Sequence, residues 1–405
     1  MEATALDPRD ADVRVEYSMA RAEVALRSAS MAYAEQLAAI DATLREARAF
    51  PEVFVGESLL AGDPEAGEFA ERAAIADLAV RLSVSEVTIR AQAHEAHTLM
   101  HRAPRVWAGF RDGTISTPNA KTVTDLISTL PDTHWHAFES AILMDAATLA
   151  PARFRTRARV VHDRTQPEPA ADRHRRRAEE RRVWIEPDID GMAFLTAYLP
   201  ADQAQRAMSS IDRRAASLAV HPDETRTMGQ LRADVAADLL AGILGSAAPA
   251  TGVSVAVTVP VLTALGVGEE PGILEGYGPI DADTARRLAA HAPSFIRILT
   301  HPITGTILDI GRERYRVPAD LKRWIGVHRP TCDFPGCGRK SKECDLDHTI
   351  DWAHGGTTSV NNLSPLCLTH HRLKHKSDWS ARHTGDGLSW TSPTGAISAS
   401  DPPPF

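Results

Sequence analysis

The first part of the chain repeats apolar residues at intervals of three and four positions, which places them on one face of a helix. The pattern spans residues 10–50 and resumes after Pro51 in FAERAAIADLAVRLSVSEVTIRAQAHEAHTLM. Two later runs, GFRDGTISTPNAKTVTDLISTL and DTHWHAFESAILMDAATLA, carry a Thr, Ser or Asp before the periodic positions, as helix N-termini do. Residues 1–150 are therefore predicted to form a helical N-terminal domain.

The middle of the chain, residues 183–320, changes to short strands and helices and is predicted to be an α/β domain. Two strands around an Asp-Gly turn are indicated by RRVWIEPDIDGMAFLTAYLP, and a buried strand by the β-branched GVSVAVTVPVLTALG. A further hairpin is indicated by TGTILDIGRERYRVP. The expected fold class is mostly α with this middle α/β region, then a C-terminal module at 321–380 and a hairpin with a flexible tail at 381–405.

Two segments are ambiguous between a packing role and a contact with nucleic acid. The stretch IADLAVRLSVSEVTIRAQA fits either a helix-turn-helix or an ordinary helical hairpin. Residues 151–182 form a basic linker or helix, in which eleven arginines from Arg153 to Arg182 outnumber five acids. Such a run is either a solvated surface or a stripe that follows phosphates. The net charge of −8 does not exclude a polyanionic partner, because the contact would be local.

Length and composition indicate a globular chain with more than one domain. The 405 residues exceed one ordinary core, and 43% apolar with 24% charged residues is typical of folded proteins. No window approaches the roughly eighteen uninterrupted apolar residues of a membrane span. The first residues, MEATALDPRDADVRVEYSMARAE, lack the apolar stretch of a signal peptide. We therefore expect a cytoplasmic protein without a membrane partner.

The C-terminal module concentrates residues that bind metals. All four cysteines fall within 36 residues, and five of the seventeen histidines fall within residues 346–375. In a reducing cytosol, clustered cysteines indicate a metal site rather than disulfides. Cys-x4-Cys and Cys-x2-His pairs supply a tetrahedral set for structural Zn²⁺, whose members are Cys332, Cys337, Cys367 and His370. Cys344 is left over; it could replace one of these ligands, but it is expected to be a buried thiol.

A second set of donors remains after the zinc ligands are assigned. His371 and His375 lie four residues apart, so that on a helix they share one face. With Asp347 they make a three-ligand site that leaves positions open for a phosphate oxygen and water, as catalytic metal sites do. His348 follows Asp347 in a predicted strand where side chains alternate, so one residue binds the ion while the other faces a water.

The motifs that carry these residues resemble the HNH, or ββα-metal, nuclease family. The resemblance covers about Cys332 to Lys376 and rests on CDFPGC, DLDHTIDWAHGGTTSVNNLSPLC and LTHHRLKH. Upstream, FRDGTIST, EGYGPI and DIGRERYRVPADLKRWIGVHRPTC resemble actinobacterial HNH-signature repeat-family proteins, which carry a long N-terminal domain of unknown function. The first cysteine pair is longer than the Cys-x2-Cys common in the family. The resemblance implies a zinc-stapled ββα-metal module.

The resemblance also implies roles for individual residues. His348 matches the general base, and Asn362 matches the residue that ties the loop so that the base is oriented. Asp347 and His371 match metal ligands, and His375 matches an additional ligand found in some members. The implied cofactors are Mg²⁺ or another divalent ion for catalysis and Zn²⁺ for structure, and the implied products carry 5′-phosphates.

The expected function is metal-dependent hydrolysis of DNA phosphodiester bonds by an HNH endonuclease. A divalent ion would neutralise charge on the phosphate oxygens, while neutral His348, whose ordinary pKa is about 6.5, takes a proton from the attacking water. Arg372 and Lys374 are expected to contact phosphate. The alternative is a non-catalytic, zinc-stapled nucleic-acid-binding protein, which would bind DNA in a salt-dependent manner without turnover.

Overall fold

The computed structural model describes residues 8–56, 65–240, 257–274, 277–290, 317, 319–384 and 387–401. The chain divides into two units. The first, here called the terminal unit, combines residues 1–167 with residues 298–405, and the second, the inserted unit, consists of residues 168–297. The terminal unit therefore contains both the N-terminal helices and the C-terminal module.

The N-terminal part of the terminal unit is helical, as predicted. Proline occupies the first turn of several of these helices, where no backbone N–H is needed, and Ser85 caps another by accepting a hydrogen bond from Thr88 N at 3.1 Å. The helices are α1 (Pro8–Ala49), α2 (Ala66–Leu82), α3 (Glu86–Arg102), α4 (Pro104–Arg111), α5 (Thr117–Ile127), α6 (Asp132–Thr148) and α7 (Pro151–Thr165).

The inserted unit contains small sheets and helices. Its first strands pair around Asp190 and Gly191, whose φ angles of 54° and 74° suit the predicted Asp-Gly turn. Residues 304–318 of a further predicted hairpin lie outside the described residues except for residue 317. The elements are α8 (Ala170–Glu179), β1 (Arg182–Pro187), β2 (Ala193–Tyr198), α9 (Ala201–Ala219), α10 (Met228–Leu240), β3 (Val257–Thr258), α11 (Val261–Ala264), β4 (Gly272–Leu274), β5 (Gly278–Ile280) and α12 (Ala282–Ala290).

The C-terminal part of the terminal unit follows the order strand, strand, helix. An antiparallel pair places Asp347 opposite Ser364 and His348 opposite Leu363, and a helix begins directly after the second strand. A three-stranded antiparallel sheet follows it. The elements are α13 (Ala319–His328), β6 (Asp345–His348), β7 (Leu363–Leu366), α14 (Leu368–Lys376), β8 (Ser380–Thr384), β9 (Gly387–Thr391) and β10 (Ile397–Ala399).

The terminal unit has two large apolar clusters. One is built by N-terminal helices alone and includes the fully buried Leu99, Phe110 and Phe138. The other is shared: Phe69 and Ile89 from α2 and α3 pack with Phe334, Trp379 and Trp390 from the C-terminal part. The C-terminal module therefore closes its core against the N-terminal helices.

The predicted fold class is confirmed. The N-terminal region is mostly helical, the sheets are small, and the C-terminal region has the ββα order. Among the described helices, none is long and apolar enough to cross a membrane. The division of the chain into five sequence segments stays a prediction.

The cluster built by the N-terminal helices gives the first testable prediction. Leu99 is fully buried, so Leu99→Ala removes apolar contacts and leaves a cavity, which costs about 2–5 kcal/mol. Leu82→Ala is the matched control, because Leu82 is 43% exposed. We expect the midpoint of urea unfolding, followed by circular dichroism, to fall for Leu99→Ala only. Equal losses in the two variants would contradict this packing.

Candidate metal centres

The first candidate centre joins a turn to the start of a helix. A hydrogen bond of 3.0 Å from Cys337 N to Phe334 O closes the turn that brings Cys332 and Cys337 together. Cys367 is the N-cap residue of α14, and His370 lies in the first turn of that helix. One donor atom from each of these four residues lies within 4.8 Å of the others. The predicted zinc ligands therefore converge, and three sulfurs with one imidazole form a donor set consistent with structural zinc.

Hydrogen bonds within this cluster shift the pKa values of its members in opposite directions. Hydrogen bonds from the Cys332 and Cys337 thiols lower the pKa of Cys367 well below its ordinary value, and the thiolate is the form that binds metals. Burial alone would lower the pKa of His370, but hydrogen bonds with Cys337, Cys367 and Glu86 raise it to about 11. A divalent ion entering the cluster would displace the remaining thiol and imidazole protons.

Cys344 is not one of the four converging donors. Its Sγ donates to Lys340 O at 3.4 Å, and the residue is 5% exposed. Burial raises the pKa of the Cys344 thiol to about 12, so the thiol stays protonated at neutral pH. Cys344 is thus a buried thiol, as predicted.

The second candidate centre lies between β6 and α14. Asp347 Oδ1 is 3.3 Å from His371 Nε2 and 3.0 Å from His375 Nε2. The carboxylate is nearly buried at 3% side-chain exposure, whereas the two imidazoles are 37% and 36% exposed. The three predicted ligands therefore converge, and the imidazole side of the group is open to solvent.

Lys374 engages the same carboxylate from the other side. Its Nζ donates to Asp347 Oδ2 at 2.6 Å and to His348 O at 2.8 Å. The two oxygens of Asp347 thus have separate partners, with Oδ1 facing the imidazoles and Oδ2 held by the ammonium. Of the two residues predicted to contact phosphate, Lys374 is 10% exposed at its side chain, whereas Arg372 is exposed.

His348 points away from this carboxylate, as the alternation of side chains along a strand requires. The residue is 7% exposed, its Nε2 lies 3.1 Å from Thr358 Oγ1, and its ring meets Trp352 edge to face at 6.0 Å. Burial lowers the pKa of His348 below its ordinary value, which favours the neutral imidazole. No sequence pattern indicates a role for Thr358, which is fully buried in the loop after β6.

Asn362 holds the loop that follows His348. Its Oδ1 accepts from Ile350 N at 2.8 Å, and its Nδ2 donates to Ile350 O at 3.0 Å and to Thr357 O at 2.9 Å. Gly356 packs closely against these groups: a Cβ at this position would be 1.8 Å from Ile350 O and 2.7 Å from Asn362 Nδ2. The amide of Asn362 therefore ties the two ends of the loop between His348 and Asn362 together, and Gly356 allows the backbone to approach closely there.

Glu86 is the residue near the first centre that the sequence analysis missed. Its Oε1 lies 2.6 Å from His370 Nε2, although 284 positions separate the two residues. Burial alone would raise the pKa of Glu86, but the hydrogen bond from His370 and the charges of His370 and Arg90 outweigh it and keep the pKa below its ordinary value. No local motif marks this contact, since it depends on how α3 packs against α14.

The contact between Glu86 and His370 also distinguishes the two interpretations of the helix pair formed by α2 and α3. A helix-turn-helix uses the N-terminal residues of its second helix to contact bases. Here the first residue of α3, Glu86, is 12% exposed at its side chain and contacts His370. The structure therefore favours the packing interpretation of this pair.

Two family descriptions match the chain. Residues 25–328 match a domain of unknown function, DUF222, and residues 332–377 match the HNH endonuclease family. The uncharacterized protein Rv3776 of Mycobacterium tuberculosis is 30% identical over 366 residues, which cover 80% of this chain and 69% of that protein. The uncharacterized protein Rv2100 of the same species is 37% identical over 83 residues, or 20% of this chain and 15% of that protein. No solved structure matches at comparable significance.

The crowding at Gly356 gives a prediction for the loop. In Gly356→Ala the new Cβ collides with Ile350 O and Asn362 Nδ2, so the loop must shift, at a cost of about 1–3 kcal/mol. Gly338→Ala is the control in the same module, since a Cβ there meets nothing within 4 Å. We expect the thermal unfolding temperature to fall for Gly356→Ala and not for Gly338→Ala. An unchanged temperature in both variants would show that the loop has more room than these distances allow.

Proposed function

Because the chain belongs to the DUF222 family and carries a C-terminal HNH endonuclease domain, we propose that it is a metal-dependent endonuclease that hydrolyses DNA phosphodiester bonds. The observation that carries the proposal is the convergence of Asp347, His371 and His375, with the buried His348 as the next residue after Asp347 on β6. A purely structural role would not require a second, solvent-open donor set next to a neutral imidazole.

The donor set fits a catalytic divalent ion. One carboxylate and two imidazoles offer three ligand atoms within 4.8 Å of one another, and their exposed side leaves room for substrate. When bound, the ion supplies positive charge that stabilises the charge developing on the phosphate oxygens. Imidazole donors suit ions such as Ni²⁺ and Zn²⁺, and carboxylate donors suit Mg²⁺ and Mn²⁺, so the mixed donor set here is compatible with both groups of ions.

His348 is proposed as the general base. A neutral imidazole is required to accept the proton of the attacking water, and burial favours that form. Thr358 holds Nε2 at hydrogen-bond distance and limits rotation of the ring. Asn362 closes the loop that contains Thr358, so its proposed role is to position the base through the backbone.

The proposed contacts to DNA use exposed cations. Arg372, on the exposed side of α14, is placed next to a metal ligand and is proposed to contact a phosphate. Lys374 is proposed to contact the same phosphate group, using the ammonium proton that it does not donate to Asp347 or His348 O. In α7, Arg153, Arg155 and Arg159 are exposed and are proposed as a further basic surface for a polyanion.

The cluster of Cys332, Cys337, Cys367 and His370 is proposed to hold structural Zn²⁺. Its donors are all protein atoms in a four-member set, which leaves no position for substrate. Two of the ligands lie at the start of α14, the helix that carries His371 and His375. Zinc bound there would fix the N-terminal turn of α14 and so the orientation of the helix that carries the proposed catalytic ligands.

The general-base role predicts a loss of cleavage with the fold intact. In His348→Ala no group accepts the proton, and we expect nicking of supercoiled DNA to slow by roughly 10²–10⁴-fold. His354→Ala is the matched control, because His354 is in the same loop and its side chain is 79% exposed. Cleavage is measured with Mg²⁺, Mn²⁺ and Ni²⁺, and zinc content is checked in each variant.

Two outcomes of this assay would contradict the proposal. If His348→Ala cleaves at the wild-type rate, His348 is not the base. If the wild-type protein binds DNA in a salt-dependent manner but does not cleave it with any of the three ions, the protein is the non-catalytic nucleic-acid-binding alternative.

The proposed ligand role of Asp347 predicts a defect in metal binding that does not depend on activity. Asp347→Asn removes the charge that faces both imidazoles. Because loss of even an outer-shell partner lowers metal affinity about 10–100-fold, we expect the affinity for Mn²⁺ measured by calorimetry to fall by about 10-fold or more. Asp345→Asn is the control, since Asp345 lies two positions earlier on β6 and is exposed. Equal Mn²⁺ affinity in the two variants would place the ion elsewhere.

A further inference from the structure

The zinc-ligand cluster is completed by a side chain from the N-terminal helical domain. The Nδ1 atom of His370 faces the sulfurs of Cys332 and Cys367 at 3.4 Å and 3.3 Å. The opposite ring atom, Nε2, lies 2.6 Å from Glu86 Oε1. Both side chains are largely buried, at 6% exposure for His370 and 12% for Glu86. The imidazole is thus held between the cluster and a carboxylate of α3.

This arrangement is the one that orients a metal-binding histidine. A histidine ligand commonly donates its second ring N–H to a carboxylate, which fixes the ring orientation and the tautomer and makes the ligating nitrogen more basic. With Nε2–H directed to Glu86, Nδ1 faces the sulfurs and is the ring nitrogen that would bind the ion once its proton is displaced. Glu86 therefore has the position of an outer-shell partner, although it belongs to the part of the chain that matches the domain of unknown function.

Apolar packing independently joins the same two parts. The ring of Phe334 stacks on His370 at 4.0 Å with an interplanar angle of 12°, and meets Trp379 and Trp390 edge to face at 5.3 Å and 5.1 Å. Trp379 Nε1 donates to Ala73 O of α2 at 3.4 Å. The aromatic side chains that cover the cluster are therefore held by the N-terminal helices.

A polar network fixes the last sheet to the same helix. Asp77 of α2 is 3% exposed and accepts from Arg81 Nε at 2.9 Å and from the hydroxyl of Thr394. Arg81 also donates to Thr394 O at 3.1 Å. The connection between β9 and β10 is thus attached to α2 by a buried carboxylate and its two partners.

We propose that the N-terminal helices of the DUF222 region are the folding scaffold of the nuclease module, and that Glu86 is the positioning residue for the zinc ligand His370. The inference rests on the zinc part of the proposed function and is independent of DNA cleavage. It gives the domain of unknown function a physical role, since α2 and α3 complete the core and the ligand shell that the C-terminal module lacks.

The role of Glu86 is tested by zinc affinity in the full-length protein. Glu86→Gln and Glu86→Ala are expected to weaken zinc binding about 10–100-fold, measured by competition with a chromogenic chelator. Arg90→Gln is one control, because Arg90 pairs with the other oxygen of Glu86 and does not contact His370. Glu68→Gln is a second control, because Glu68 is 72% exposed on the neighbouring helix.

The possible outcomes distinguish the positioning role of Glu86 from the proposals of zinc binding and of DNA cleavage. Wild-type zinc affinity in Glu86→Gln would overturn the positioning role, and an equal loss in Arg90→Gln would assign the effect to the helix end instead. A wild-type protein that binds no zinc would overturn the zinc proposal and this inference together. Cleavage results bear on neither, because zinc affinity is read without DNA.

The scaffold role is tested separately, by measuring amide hydrogen exchange of the full-length protein with and without a zinc chelator. Removing zinc is expected to speed exchange in α2 and in the first half of α3 as well as in α14. Peptides from α6 serve as the internal control, because α6 packs in the cluster built by the N-terminal helices alone. Faster exchange confined to residues 332–376 would overturn the scaffold role, even if Glu86 proves to position His370.

Discussion

The aromatic cluster of Phe334, Trp379 and Trp390 is the packing on which both candidate centres depend. A module of fewer than about 70–80 residues rarely has enough core of its own, and zinc or a partner surface usually supplies the rest. Here the cluster fills the space against α2 and α3 and lies directly under the ring of His370. The ligand geometry of the C-terminal module is therefore set in part by helices from the other end of the chain.

The two centres are coupled through one short helix. The nine residues of α14 begin after Cys367 and carry His370 on the buried side and His371 and His375 on the more exposed side. A structural ion that fixes the start of this helix also fixes the direction of the two imidazoles that face Asp347. The two faces of β6 also carry different contacts: Asp347 faces the imidazole of His375, whereas the adjacent His348 contacts Thr358. The helical alternation thus separates His370 of the first candidate centre from His371 and His375 of the second, and the extended alternation separates Asp347 from His348.

The features that could be predicted from the sequence are those encoded by short spacings. The Cys-x4-Cys and Cys-x2-His pairs, the four-residue interval between His371 and His375, and the helical periodicity of the first 150 residues are all local patterns. Glu86 was not predictable, because periodicity indicates which face of a helix is buried but not what lies against it. The same holds for Thr358 and for the attachment of Lys374 to Asp347, since both depend on how the loop and α14 fold back on β6.

The shared core also determines when the molecule can be assembled during translation. Ile89 and Trp390 belong to one cluster, yet 301 residues separate them along the chain. At ordinary rates of protein synthesis the ribosome needs about 15–60 s to cover that distance. During this time the apolar surface of α2 and α3 that later receives Phe334 and the tryptophans has no partner. A nascent chain is therefore exposed to aggregation at this surface, and neither candidate centre can form until α14, which carries three of the donors, has emerged.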